Sequence, residues 1–148
     1  MREVIYAMRF SGQAEPVGDV GNVLRAATSA PSSTLTATVG AEGLEGTLAA
    51  IPGGEATFES EVTFTEETSF QETGTITFGE GHRLRFSTVG SGYLAPSADP
   101  GRKHGTVMWR LEGGEGQFAE ASGLITSNFF VDDRLGVVDH HFGVLLLP

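Results

Sequence analysis

Residues 109–123 read Trp109-Arg-Leu-Glu-Gly-Gly-Glu-Gly-Gln-Phe-Ala-Glu-Ala-Ser-Gly123, a strand that enters a glycine turn and leaves it as a second strand. We expect the glycines at 113, 114 and 116 to supply the positive φ angles of the reversal, and Phe118 to plug the turn with an apolar ring. The following run, Leu124–Val131, is rich in β-branched and aromatic residues, as strands are. This strand pair predicts an antiparallel β-structure to which the other strands are added.

The other strands are predicted from alternation of apolar and polar residues. Val4–Phe10 alternate at the N-terminus, and further runs that read as strands lie at 33–39, 44–51, 56–65, 70–78, 82–89, 106–111 and 138–147. About nine strands joined in order by short turns, with no helix long enough to cover a sheet, leave a sandwich or a closed barrel. We favour an all-β, mostly up-and-down antiparallel barrel of about eight strands, because closure removes exposed edges.

Two segments are predicted as irregular. Residues 11–31 lose the alternation and collect glycines and prolines, so we expect a loop there, with a short helix at 22–27 as an alternative. Residues 94–104 contain two prolines and a Pro-Gly turn signal. We expect this second segment to form a flap at one end of the barrel.

Length, charge and cysteine content limit which classes of function are possible. The chain of 148 residues suits one domain, 1–148. The formal charge of −10 disfavours nucleic acid and anionic membranes as partners. The absence of cysteine removes thiolate chemistry and Cys-ligated metal sites, and it fits a reducing cytoplasm. No apolar run could span a bilayer or form an export signal, so we expect a cytoplasmic protein.

The glycine turn carries a resemblance to a known superfamily. Gly113-Gly114-Glu115-Gly116-Gln117-Phe118, followed by Ala121-Ser122-Gly123, resembles the motif of allene oxide cyclase and dirigent-type barrels and related bacterial proteins, and the likeness covers Gly105 to the C-terminus. The resemblance implies an eight-stranded barrel with a central cavity, assembled as a dimer or trimer. It also implies that the barrel guides cyclisation or coupling of hydrophobic small molecules, and it transfers no catalytic set to this chain.

Glu72 is the first candidate for proton transfer. It lies between Phe70 and Ile76, so if this row faces the lumen its carboxyl would be desolvated and its pKa raised, as a general acid or base near neutral pH requires. The competing interpretation, which the frequency of bulges at barrel glycines favours, is that Gly74 marks a β-bulge that turns Glu72 into water.

The adjacent histidines form a second candidate pair. His140 lies between Val138 and Phe142 in what reads as an apolar row, and His141 shares the other face with Asp139. Neighbours on a strand point to opposite faces, which disfavours a two-histidine metal site. His140 is a candidate catalytic base and His141 a candidate ligand contact, although a partly buried or interface histidine is the commoner case.

Two arginines are candidates to bind a carboxylate group of a ligand. Arg83 and Arg85 project from one face, so Arg85 is a candidate to bind a ligand carboxylate. The alternative, which we favour, is that both arginines pair across strands with Glu59 and Glu61 on the solvated side.

Four further residues are candidate ligand contacts. Tyr93 and His104 border the flap, which gates a pocket if it is more than a surface loop. Trp109 is more simply a core residue, and Asn128 needs hydrogen-bond partners if it is buried. No metal or cofactor motif is present in the sequence.

Three functions are compatible with these observations. The first is a barrel that binds a hydrophobic small molecule in its lumen. The second is a cofactor-free cyclase or isomerase in which Glu72 or a histidine moves a proton. The third is a structural or assembly barrel without a ligand. We expect a homo-oligomer in each case, because Val144–Leu147 are apolar on both faces.

Overall fold

The computed structural model describes the chain from Met1 to Pro148 as an all-β structure with one 3-10 turn, Gly116–Phe118. No helix is present that is long and apolar enough to cross a membrane. The nine strands are β1 (Arg2–Pro16), β2 (Val23–Gly40), β3 (Gly43–Phe64), β4 (Ser69–Phe78), β5 (Arg83–Thr88), β6 (Gly92–Pro96), β7 (Arg102–Glu115), β8 (Ser122–Asp132) and β9 (Gly136–Leu147).

Antiparallel hydrogen bonding closes these strands into a ring. Successive strands pair with each other except β5 with β6, and β9 returns to pair with β1 along Arg2–Gln13. Both β5 and β6 lie between β4 and β7, so the two short strands share one position in the wall. Nine strands therefore make eight wall positions, which confirms the predicted up-and-down barrel of about eight strands.

One row of each strand points into the lumen and forms a single core. Its centre is a group of aromatic rings in which Trp109 packs on Phe86 at 4.3 Å and on Phe58 at 5.4 Å between ring centroids. Below this layer, toward the glycine turn, apolar side chains fill the lumen. The buried residues of that half include Ile76, Leu84, Phe118, Ala121, Leu145 and Leu147.

The glycine turn has the predicted form in most respects. Gly113 and Gly116 have φ angles of 80° and 62°, and Phe118 is buried with its ring 5.5 Å from that of Phe78, so it plugs this end of the barrel. The prediction for Gly114 is wrong, because its φ is not positive. Gly114 instead lies where the backbone of Arg83 leaves no space for a side chain.

The loop predicted at 11–31 is wrong, as is the alternative helix. Strand β1 continues to Pro16 and β2 begins at Val23, and the two pair from Ser11↔Ser29 to Pro16↔Leu24. The inward row is carried here by small side chains, including Ala14 and Ala26, which give only a weak hydrophobic alternation. The irregular part is confined to residues 17–22.

The predicted flap is also shorter than expected. Strand β6 ends at Pro96 and β7 begins at Arg102, which leaves the turn 97–101 between them. Within this turn Ser97 Oγ donates to the carbonyl of Arg102 at 2.6 Å, and Arg102 Nε lies 2.9 Å from Asp99 Oδ2. The turn still caps one end of the barrel, as predicted.

Phe118→Ala tests whether the plug holds the closed end together. The substitution leaves a cavity among buried apolar side chains, so we expect the free energy of unfolding to fall by about 3–5 kcal/mol in urea denaturation. Tyr93→Ala is the control, because the half-exposed Tyr93 ring should cost less than about 1 kcal/mol. Equal losses for the two variants would contradict the assignment of Phe118 as the plug.

Candidate functional site

The upper half of the lumen is an open cavity of about 580 Å³. Its outer end is bordered by residues 97–103 and 132–135, which include two turns and the strand ends beside them, and its floor by the aromatic layer through Phe58. Most of the surrounding wall is apolar. The apolar wall includes Leu24, Val62, Phe64, Phe70, Phe129 and Val137.

Glu72 lies inside this cavity, and the bulge expected at Gly74 is absent. Ser60, Gly74 and Phe86 pair in unbroken register across β3, β4 and β5. A side chain at position 74 would collide first with the carbonyl oxygen of Glu59 and then with Ser60 and Phe86, so glycine here permits close strand packing rather than interrupting the strand. The β-bulge occurs instead in β7, between Leu111 and Gly114, opposite β5.

The wall holds the Glu72 carboxyl by both oxygens. Ser60 Oγ donates to Oε2 at 2.6 Å, and Trp109 Nε1 donates to Oε1 at 3.2 Å. The Thr88 hydroxyl bonds to both the N–H and the carbonyl of Glu72 at 2.8 Å, which fixes the backbone beyond the end of the β4–β5 ladder. The carboxyl is therefore held in one orientation.

Burial raises the pKa of Glu72 to about 8. The hydrogen bonds from Ser60 and Trp109 act in the opposite direction, since they stabilise the charged form, while the negative charge of Asp139 raises the pKa further. Desolvation is the largest of these effects. At pH 7 the protonated, neutral form of Glu72 therefore predominates.

Asp139 is a second buried carboxyl in the same cavity. Its Oδ1 accepts a hydrogen bond from Ser127 Oγ at 2.6 Å, and its Oδ2 lies 2.9 Å from Nε2 of His141. The His141 ring stacks on Phe10 at 4.2 Å and meets Trp109 edge-on at 5.0 Å. Ser127, Asp139 and His141 therefore form one buried polar chain against the aromatic layer.

Three buried polar atoms have no hydrogen-bond partner in the protein: Thr28 Oγ1, Tyr6 Oη and His141 Nδ1. Thr28 lines the cavity beside the two carboxyls. Burial raises the pKa of Tyr6, and the charge of Asp139 raises it further, so its phenol stays neutral. A bound molecule or water that reached these atoms would satisfy them.

Two of the predicted ligand contacts belong to this site. Trp109 bonds to Glu72, and His141 bonds to Asp139. Neither side chain is exposed to solvent, so each acts through the carboxyl that it holds. Trp109 is also part of the hydrophobic core, as its simpler interpretation predicted.

The remaining candidates lie on the outside of the barrel. The prediction that His140 lies in the inward row is wrong, because the inward row of β9 consists of odd-numbered residues. Arg85 bonds to the carbonyl of Glu112 at 3.4 Å, and His104 stacks on Phe130 at 4.8 Å. The other exposed candidates are Tyr93 and Asn128.

The favoured pairing of the two arginines with glutamates is also wrong in detail. Arg83 and Arg85 are on the solvated side, as expected, but a threonine of β4 lies between each of them and the nearest outward residue of β3. The ladder from Glu59 passes through Thr75 before it reaches Arg85. No ion pair joins these glutamates to the arginines because one strand separates them.

Sequence reasoning did not assign roles to Asp139, Ser127, Ser60 or Thr28. The alternation Val137, Asp139, His141 was visible, but His140 between two apolar neighbours suggested the opposite facing. Only the register with β1, in which Asp139 lies opposite the buried Phe10, shows which row faces inward. Serine and threonine on strands carry no comparable signal.

Glu72→Gln tests the raised pKa of Glu72 through stability. Because folded Glu72 keeps a proton that the unfolded chain releases above its ordinary pKa of 4.5, its contribution to stability is full below pH 4.5 and is lost as pH rises toward about 8. We expect this group to contribute a slope of about −1.4 kcal/mol per pH unit in that window. Urea denaturation of the variant at several pH values should lack that contribution.

Glu59→Gln is the matched control, because Glu59 is exposed on the outer wall of β3. It should leave the pH dependence of the wild-type protein unchanged. Parallel curves for the wild-type protein and Glu72→Gln would show that Glu72 is ionised in the folded state, against the assignment.

No family model matches the chain, and neither a curated protein nor a solved structure matches it.

Proposed function

We propose that this protein binds an apolar small molecule carrying a carbonyl or other hydrogen-bond-accepting oxygen in the upper half of the barrel. A cavity of about 580 Å³ lies within the usual size of small-molecule sites, and its wall is apolar apart from a few convergent polar groups. The open cavity favours this function over a structural barrel that has no ligand.

The observation that carries the proposal is the bonding of Glu72. Both of its oxygens accept hydrogen bonds from the wall, from Ser60 and Trp109. The neutral Glu72 carboxyl and the Ser60 hydroxyl carry two protons and share one hydrogen bond, so one proton remains to be donated, and Glu72 lines the cavity where an acceptor can bind. A ligand oxygen meets this need, and the phenyl and aliphatic side chains around it accept the rest of an apolar molecule.

Fluorescence of Trp109 gives a direct test, because it is the single tryptophan of the chain and it bonds to Glu72. We expect a medium-chain methyl ketone to change its emission on titration and to bind roughly threefold to tenfold more tightly than the alkane of equal length. Ketone affinity should fall as pH rises through about 8, where Glu72 loses its proton.

Glu72→Gln is the matched variant, since its amide donates a hydrogen bond without titrating. It should keep the preference for the ketone and lose the dependence on pH, whereas Glu59→Gln should behave as the wild-type protein. Equal binding of ketone and alkane would overturn the proposed role of Glu72. Absence of any binding, together with no co-purified molecule in native mass spectrometry, would overturn the proposal as a whole.

A second candidate function is proton-transfer catalysis without a cofactor, and the proximity of Asp139 favours it. Neutral Glu72 would donate a proton to the oxygen of a bound carbonyl while Asp139 accepts one from the adjacent carbon, which gives an enol with no net change in protons. Return of a proton to a different carbon would complete an isomerisation. The resemblance to allene oxide cyclase and dirigent-type barrels is compatible with such chemistry on a flexible hydrophobic substrate.

Exchange of the ketone's α-protons for deuterium, followed by NMR in D₂O, tests this chemistry without knowledge of the substrate. We expect exchange above the buffer rate in the wild-type protein and a loss of about a hundredfold or more in Asp139→Asn. Ser127→Ala, which keeps the Asp139 carboxyl, is the control for packing. A ketone that binds as above but does not exchange would reject catalysis and leave the binding function intact.

A further inference from the structure

The β2–β3 hairpin extends beyond the barrel as a two-stranded arm. Residues 33–40 and 43–50, which we call the arm, pair only with each other, from Ser33↔Ala50 to Gly40↔Gly43. Nearly all of these residues are exposed. An isolated pair of strands is marginally stable in water, so the arm is a segment that gains from contact with another surface.

One face of the arm is apolar and the other is polar. Leu35 lies opposite Leu48 and Val39 opposite Leu44 on the first face, and threonines with Glu45 occupy the second. The exposed fractions of Leu35, Val39 and Leu44 are 54, 86 and 73%. Such a ribbon presents a continuous apolar strip to solvent.

The outer wall of the barrel carries a matching apolar area, which we call the wall patch. Ile5, Val144 and Leu124 are paired side by side across β1, β9 and β8, and Phe142 lies in the next row together with Met108. Their exposed fractions run from 36% for Val144 and Met108 to 59% for Ile5. The opposite wall, on β3 to β5, instead presents charged residues and threonines.

Charge on the two surfaces is complementary. The arm carries Glu42 at its turn and Glu45, and no basic residue occurs between 33 and 54. Around the wall patch lie Arg9 and Arg110, the second with a 3.5 Å ion pair to Glu112, while the exposed Glu3 lies beside Ile5. In a chain with nine basic and nineteen acidic residues, two arginines at the edge of an apolar area favour an acidic, apolar partner.

We propose that the arm of one copy lies across the wall patch of a second copy, with the two arms exchanged about a two-fold axis. Leu35 at the root of the arm shares a cleft with Ile5 and Phe142 of the wall patch, so the two surfaces are contiguous and each chain offers both. In such a closed dimer the apolar face of each arm is covered by the wall patch of the other copy, so neither arm is left exposed.

The surface area that the arm can bury favours two reciprocal contacts over a single one. Eight residue pairs make the arm about 26 Å long and about 10 Å wide, so one arm on one patch buries roughly 500 Å² in total. Two such contacts bury about 1,000 Å², near the lower limit for a specific interface. The exchanged dimer is therefore expected to be of moderate affinity and to dissociate on dilution.

Two charge-reversed variants test the proposal. Glu42→Lys/Glu45→Lys changes the arm, and Arg9→Glu/Arg110→Glu changes the rim of the wall patch. We expect light scattering coupled to gel filtration to show a dimer for the wild-type chain. Each variant alone should dissociate more than about tenfold more readily, and an equimolar mixture should recover the dimer because both exchanged contacts are again complementary.

Arg83→Glu/Arg85→Glu, on the opposite wall, makes the same change in charge as the wall-patch variant and should leave the dimer intact. Val39→Ser/Leu44→Ser removes apolar contact at positions exposed in the single chain, so it should weaken the dimer while the melting temperature of the dilute monomer stays unchanged. A wild-type monomer at all concentrations, or a dimer that neither arm variant weakens, would overturn the proposal.

Discussion

Closure of the hydrogen-bonded ring is the constraint on which the rest of the structure depends. Once β9 pairs with β1, every strand has a neighbour on both sides through most of the barrel, and its two alternating rows become an inner and an outer surface. The register then decides the chemistry of the lumen. A shift of one residue in β9 would exchange Asp139 and His141 for His140 and Phe142.

The two halves of the lumen divide structural and chemical roles. Phe118 and the apolar residues near the glycine turn fill one half, so that closure is stabilised without the other half being packed. The aromatic layer around Trp109 separates them and also supplies a hydrogen bond to Glu72. The oxygens of this buried carboxyl accept hydrogen bonds from the wall, while one side of the group remains open to the cavity.

Sequence patterns predicted the all-β class, the up-and-down antiparallel barrel, the glycine turn and the plugging role of Phe118. They failed at residues 11–31, where small inward side chains give little hydrophobic contrast, and in β9, where His140 between apolar neighbours indicated the wrong inward row. The sequence indicated Glu72 as a candidate for proton transfer, but whether its side chain faces the lumen depended on whether Gly74 interrupts the strand. That question is decided by the pairing of Gly74 with Ser60 and Phe86 on the two neighbouring strands, which are contacts between residues distant in sequence.

Because β5 and β6 share one position in the wall, the hydrogen bonding of the barrel is interrupted between these two short strands. Strand β6 is tied to β4 at only two residue pairs, Ser69↔Tyr93 and Phe70↔Gly92, and it ends at the turn that borders the cavity. Short, weakly tied segments open at lower free energy than the rest of a fold. We therefore expect this edge of the cavity, where β6 has four pairs to β7 but only two to β4, to open at a lower free energy than the rest of the wall.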